Sequence, residues 1–384
     1  MARGFHAAGD VIVTQTASGT NLNQLWDDYQ AALNIFNGQR NTLVDFLSYR
    51  TQDLTEQIYE GGQLADFERA TEYGVPVSQR PAITGVLRGY DFDWFDLAGR
   101  FTWKFLNKAT DAQVNAFANQ AFEADNRLMF MEVMRTLFSN VRRTAEEGHT
   151  VYPFWAGVTG VGGDKPPDYK MTTFADGHNH YFTTGAATWP AAGTGTAPLA
   201  VDMVDFHALT DTITEHGYDP ANGYQVIIMV NKAQGDSVRM IKSVANGGFG
   251  RYDFIPATAT PAFLIPTTLQ VAGTTSPPSG TVNGMKVIGS YGDILIVQED
   301  YIPAGYFVGF ATGGPDNLSN PIGIREDPNA NLRGLRLVKG REPDYPLIES
   351  YYVRGFGTGI RNRGAGAVMQ VSASGTYTVP TQYP

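Results

Sequence analysis

The chain has 384 residues, with 28 Lys plus Arg against 38 Asp plus Glu and no cysteine. A formal net charge of −10 excludes a general nucleic-acid binder, because phosphate contacts need clustered basic side chains. The missing cysteines exclude disulfides, thiolate metal sites and thiol nucleophiles. This length predicts two or three domains and a core large enough to fold without staples. The first ten residues lack the continuous apolar core of a signal peptide. The longest apolar runs, such as Val226–Val230 and Ile294–Val297, are too short to cross a bilayer. A soluble, non-secreted protein is expected. With 43 Gly, 21 Pro and 12% aromatics, many turns, β structure and contact surfaces are expected, and no repeat of fixed period is present.

In chain order, residues 1–20 predict an extended arm whose apolar content is little more than Val11-Ile12-Val13. Asn21–Tyr49 predicts helix: Leu22, Leu25, Trp26, Tyr29, Leu33 and Phe36 share a face, Gly38 breaks it, and Leu43, Phe46 and Leu47 follow. From Asp53 to Leu106 the Gly74-Val75-Pro76 and Arg80-Pro81 steps forbid continuous helix. The later alternation through Phe92, Trp94, Phe101 and Trp103 predicts strands with one apolar face. These residues predict a long hairpin joined near Ser78–Gly89. A two-stranded hairpin is marginal alone, so it calls for a partner surface.

Thr110–Asn140 contains no Gly or Pro and predicts one helix of roughly 45 Å. Thr110 with Gln113 forms a capping-box pattern, and Asp111 suits the positive end of the helix dipole. Val114, Phe117, Ala121, Leu128, Met131, Met134, Leu137 and Phe138 are expected to form its apolar stripe. Taken alone, this stretch fits the core helix of an ordinary α+β domain. His149–Trp155 and Tyr169–Thr184 predict short strands around a Gly/Pro loop, and Pro190–Pro198 a linker. An α/β module follows: helix Leu199–His216 closed by Gly217, strand Gln225–Val230, and helix Ala233–Ala245. Phe249–Gly280 predicts a long excursion without periodicity. Strands are expected at Met285–Ile288 and Asp293–Val297, and again from Tyr306 through Tyr351–Val371.

The chemical signals are sparse. Asp176-Gly-His178-Asn-His180 places two imidazoles on one face of a strand beside a carboxylate. Zinc needs three or four protein ligands, however, and no further cluster stands at suggestive spacing, so local hydrogen bonding is the expected role. Gly355-Phe-Gly357-Thr-Gly359 and Gly364-Ala-Gly366 lack the strand–loop–helix context of a nucleotide loop and are expected to permit close strand packing. The carboxylates and His207 within Asp202–Asp211 fit a solvated helix face, and Glu146-Glu147 surface charge. No G-x-S-x-G elbow occurs. Neither catalytic residues, nor a metal, nor a cofactor is expected.

The order of arm, helix, long hairpin, long helix, β strands, α/β module and return strands resembles the major capsid proteins of tailed bacteriophages. Encapsulins share their HK97-like fold. The hairpin Asp53–Leu106 matches the family's extended loop and Asp111–Asn140 its spine helix. His178-Asn-His180-Tyr181, Glu215-His-Gly-Tyr218, Val226–Asn231 and the strands of Tyr351–Val371 also resemble this family. The resemblance covers about residues 20–372. It implies an α+β chain divided into an arm and helix (1–50), an extended hairpin (51–108), a peripheral domain (109–198), an axial domain (199–300) and return strands with a tail (301–384).

By the same resemblance, copies would assemble in the host cytoplasm into hexamers and pentamers of a virion shell around DNA bound without sequence preference. A scaffold, expected to be a separate protein, a portal and decoration proteins would be the other partners, with no membrane involved. Phe92, Trp94, Phe101 and Trp103, with Arg80 and Arg88, are the interface candidates, because buried aromatics and Arg anchor such contacts. Some family members cross-link through a lysine near the hairpin tip, but the first lysine here is Lys104. A non-covalent shell is expected. The alternatives are an encapsulin-type shell for enzyme cargo, or a β-rich hydrolase or glycan binder using Asp176, His178 and His180.

Overall fold

The computed structural model describes residues 13–38, 42–59, 67, 69–70, 72–75, 85–160, 164–189, 200–246, 252–257, 286–340 and 346–383. Helix α1 (Leu22–Gly38) buries Leu22, Leu25, Trp26, Tyr29 and Leu33, the three- and four-residue steps of one helical stripe. Helix α2 (Thr42–Leu47) leads into β1 (Ser48–Thr51). Strands β2 (Thr55–Tyr59) and β3 (Gly85–Gly89) pair antiparallel, from Thr55 opposite Gly89 to Tyr59 opposite Gly85.

The hairpin does not continue as the alternation suggests. Strand β4 (Asp93–Arg100) leaves β3 and pairs elsewhere, and Trp103–Leu106 is a helical turn, α3. The Thr102 hydroxyl accepts the Phe105 amide at 3.3 Å, so a local N-cap overrides the alternating aromatics. Helix α4 (Asp111–Phe138) spans 28 residues, about 42 Å. The Thr110 amide donates to Gln113 Oε1 at 3.0 Å, half of the capping box. The Asp111 carboxylate accepts the Thr16 and Thr20 hydroxyls at 2.5 and 2.6 Å, tying the N-terminal loop to the helix start.

Short strands β5 (Arg143–Thr144) and β6 (Thr150–Val151) pair with each other, and β7 (Tyr181–Thr183) follows. Helix α5 (Ala200–Thr214) is closed by Gly217 at φ +88°. Next come β8 (Gln225–Val230) and α6 (Lys232–Val238). The latter is shorter than its expected span to Ala245, because Asp253 takes the Ser243 amide at 2.7 Å and the Asn246 side chain at 2.5 Å, turning the chain away. Strand β9 (Phe254–Pro256) lies inside the stretch expected to be irregular. The chain continues with β10 (Lys286–Tyr291), β11 (Ile294–Gln298), β12 (Tyr306–Thr312), β13 (Ile322–Glu326), β14 (Arg336–Lys339), β15 (Glu349–Ile360) and β16 (Gly366–Gln370). The proposed linker Pro190–Pro198 lies outside the described residues.

The chain divides into two compact units. One comprises Met1–Asn41, Phe92–Phe130 and Arg325–Gly357; the other comprises Thr42–Asp91, Met131–Ile324 and Thr358–Pro384. In the first, α1 and the start of α4 share a core in which Val114, Ala118 and Ala121 meet Leu335, Leu337 and Tyr352. Its β15 is flanked by β14 and β4, with Arg336 opposite Val353 and Asp93 opposite Phe356. In the second, seven strands run in the order β7-β16-β12-β8-β11-β10-β9. Only the β16–β7 and β11–β8 pairs of this sheet are parallel. Phe206, Leu209 and Ile213 of α5 join Ile228, Val230, Ile296 and Phe307 in its core, each such side chain contributing roughly 1.5–3 kcal/mol. A Cβ on Gly309 would stand 3.3 Å from Ile213, so glycine there lets the helix approach the sheet.

Helix α4 has no single apolar stripe. Leu128 is only half-buried and Met131 is 36% exposed. Val114, Ala118, Ala121 and Asp125 are buried in its first half, and Phe130, Val133, Met134, Leu137 and Phe138 in its second. At 100° per residue these sets lie about 160° apart around the helix. Asp125 continues the first stripe as a buried carboxylate 3.4 Å from the equally buried Arg354.

Candidate functional site

Strands β2 and β3 meet the rest of their unit at a polar root. Arg361, at the end of β15, grips Glu56 with two bonds of 2.6 and 2.7 Å. These bonds hold the Glu56 carboxyl below its ordinary range. The Tyr49 and Tyr90 hydroxyls lie 2.7 Å apart, and His149 Nε2 is 2.9 Å from the Tyr90 carbonyl. Arg88 donates to the Arg361 carbonyl and lies over Trp155. It is 6% exposed, so this interface candidate is instead an internal brace, placed inward because its guanidinium completes the root. Arg80 lies outside the described residues.

The aromatic candidates belong to the other unit. Phe92 packs beneath the Arg325 guanidinium at 5.0 Å and edge-on to Trp94 at 5.5 Å. Phe101 sits between Phe105 and Phe117 at 5.6 and 5.0 Å. Both are half-buried within their own chain. Trp94 and Trp103 stay 50% and 40% exposed, joined by Leu97 and Phe105 at 44% and 40%. Trp94 lies over Gly355, where an added Cβ would come within 2.6 Å of the indole. Among the described residues β4 pairs with β15 alone. It is therefore an edge strand of eight residues whose exposed Trp94 and Leu97 stand among the charged Asp93, Asp96 and Arg100; exposed apolar side chains on a strand edge mark a candidate contact surface.

A second site was only half visible in the sequence. His178 and His180 precede β7, and His216 follows the last turn of α5. Their three Nε2 atoms are mutually 3.1 Å apart. His180 is fully buried; its Nδ1 is 2.6 Å from the Gly366 carbonyl, so that nitrogen carries the proton and the Nε2 lone pair faces the cluster. Burial pushes His178 down, His180 well below its ordinary range, and His216 to about 3, so all three are neutral. Phe174 stacks on His216 at 4.3 Å and Phe154 lies near-parallel to His180 at 6.4 Å. A Cβ on Gly364 would strike the His216 ring at 2.7 Å, and one on Gly366 would strike Phe154 at 2.4 Å. Glu215 Oε1 stands 3.4 Å from His178 Nε2, and burial raises this carboxyl.

The carboxylate expected beside the histidines takes no part. Asp176 Oδ2 accepts the Gly160 amide at 3.0 Å, a loop contact, whereas His216 and Glu215 stand where that carboxylate was expected. The gap in sequence hid them; the signal was the Glu215-His216-Gly217 ending of a helix. Asp205 is not on a solvated face either, since it is buried and accepts the Trp189 indole N–H at 3.0 Å. Gly355, Gly357 and Gly359 lie within β15, in the close-packing role expected. Among the described residues no helix is long and apolar enough to cross a membrane.

No protein-family model matches the sequence, and no curated protein matches it. Among solved structures, one from Mycobacterium phage Patience is 35% identical, covers 100% of this chain and 97% of its own, and superposes with a TM-score of 0.70. The capsid of a native GTA particle is 13% identical over 87% of this chain and 91% of its own, with a TM-score of 0.45. The mature capsid of bacteriophage PhiM1 is 11% identical over 87% of this chain and 88% of its own, also at 0.45.

Proposed function

The chain belongs to the major capsid proteins of tailed bacteriophages, with their HK97-like α+β fold, and from that premise we propose how its copies meet. The protein is a structural shell protein, and its edge strand β4 is the contact that a neighbouring subunit covers. One observation carries this reading: among the described residues β4 has no strand partner other than β15, and it carries Trp94 and Leu97 half-exposed, with Trp103 and Phe105 exposed just beyond its end. Aromatic anchors of this kind dominate interface energetics. The β2–β3 hairpin, rooted by Glu56 and Arg361, is the projection that reaches over the neighbour.

Residues 199–300 form the axial part, grouped around the tips of hexamers and pentamers, and α4 forms the spine of the peripheral part. The head would be assembled in the host cytoplasm with a separate scaffold, then fitted with a portal and decoration proteins. A net charge of −10 suits a container that holds DNA without gripping it. The identity to a phage protein over the full length favours a phage head over a shell for enzyme cargo. For a hydrolase or glycan binder, the sequence motif loses its acid, since Asp176 is bonded into a loop.

Negative-stain microscopy of purified wild-type protein should show hollow particles, and Leu97→Lys should abolish them. Leu97 is 44% exposed, so the variant should fold and melt within about 0.5 kcal/mol of wild type. Normal particles from a folded Leu97→Lys subunit would remove β4 from the interface.

A further inference from the structure

We propose that His178, His180 and His216, with Glu215 as the fourth ligand, form a structural zinc site that fastens the start of β7 to the end of α5. The three Nε2 atoms form a triangle with sides of 3.1 Å. A zinc ion about 2.0–2.1 Å from each nitrogen would sit about 1 Å off the triangle's plane, with N–Zn–N angles of about 100°. Ideal tetrahedral zinc sets such nitrogens about 3.3 Å apart. The cluster is within a few tenths of an ångström of that spacing.

Hydrogen bonding does not account for this arrangement. A neutral imidazole nitrogen carries either one in-plane hydrogen or one in-plane lone pair, so it makes one good bond. Three such atoms, each equally close to the other two, cannot all be satisfied. A cation at their focus satisfies all three at once. The surroundings are those of a ligand set: the Gly366 carbonyl fixes the His180 tautomer, as an outer-shell partner does for a metal-bound imidazole. Phe174 and Phe154 hold the rings. The nitrogen donors select zinc or a neighbouring transition metal over calcium and magnesium. The three histidine nitrogens converge as a ligand set by themselves, and Glu215 Oε1, 3.4 Å from His178 Nε2, is the carboxylate placed to complete it.

His178 and His180 already pair with the Gly157 and Trp155 backbone, and His180 also receives the Val368 amide. Ile213 of α5 packs on the same sheet through its side chain, and the metal would add a bonded link from His216, just past the end of α5, to the segment that leads into β7. Unlike the assembly reading, the proposal concerns a single subunit and stands or falls separately from particle formation.

The test uses untagged full-length protein, as particles or as subunits. Elemental analysis should find one zinc per chain, and stripping with a strong chelator should lower Tm by on the order of 5 °C or more, restored by zinc alone. Cobalt(II) added to stripped protein should give the visible absorption bands of a tetrahedral site. Glu215→Gln should change those bands, and His178→Ala should lose both the bands and the metal. His178 is half-buried, so that variant is the one expected to fold. Protein that carries no transition metal, melts identically with and without chelator, and leaves cobalt spectrally octahedral would overturn the proposal. Bands unchanged by Glu215→Gln would overturn the assignment of the fourth ligand.

Discussion

Arg361 anchors the hairpin root through one carboxylate, and its value depends on pH. Its bidentate bonds hold Glu56 below the ordinary glutamate range. A carboxyl whose folded pKa lies below its unfolded value stabilises the protein fully above about pH 4.5, and that contribution fades as pH falls through the folded value. With the pair about 30% exposed (28% and 32%), its worth is about 1–2 kcal/mol after allowance for screening. Arg361→Gln should therefore lower Tm at neutral pH, and the difference from wild type should shrink between about pH 5 and pH 3. Parallel melting curves across that range would show that the pair contributes nothing. Single residues were also where sequence reading reached least far. His178 and His180 stand two residues apart just before β7 and announced themselves, but His216 is far along the chain and only the fold brings it back. Arg88 read as a surface arginine because no spacing rule shows a guanidinium turning inward to a carbonyl.

Elements were more legible than contacts, because periodicity is written locally while pairing is not. Helix α1 buries the very residues its period selects, apart from the partly buried Phe36, and α4 begins at the capping pattern that Thr110 and Gln113 spell out. What period could not show is that α4 serves opposite faces in its two halves. That leaves Leu128 half-buried, while Val133 is wholly buried. Substitution at Val133 is thus the sharper probe of the helix. Val133→Pro removes a backbone bond and clashes with the preceding turn, costing about 3 kcal/mol or more, and it also removes a wholly buried valine side chain. Soluble subunits should be lost before assembly is reached, whereas a polar residue at exposed Met131 should be tolerated. Both variants can be read by expression and melting; a fully stable Val133→Pro would mean that the second half of α4 is not a core element. Strand β4 was misassigned for a related reason. Its alternation marked it as extended but could not name β15 as its partner, and the Thr102 cap stopped the strand pattern before Trp103.

At the scale of the whole molecule, the absence of any lysine before Lys104 bears on how a shell of such subunits is held. A side-chain amide cross-link needs a nucleophilic amine, and the hairpin stretch from Asp53 to Trp103 carries none. Its basic side chains are arginines, whose guanidinium stays protonated and does not act as a nucleophile at ordinary pH. A shell without a cross-link from this hairpin would depend on buried area and edge pairing, in which many modest contacts close a surface through symmetry. Boiled particles in SDS should run as one band at the 41.8 kDa monomer, and particles should dissociate reversibly in moderate denaturant before subunits unfold. A ladder of multiples would mean that another amine, beyond the hairpin, reaches a neighbour. If β4 is the contact proposed above, weakening it should be felt first in the intact particle. Leu97→Lys particles, if any formed, would open at lower temperature than wild type while the isolated subunits still melted together.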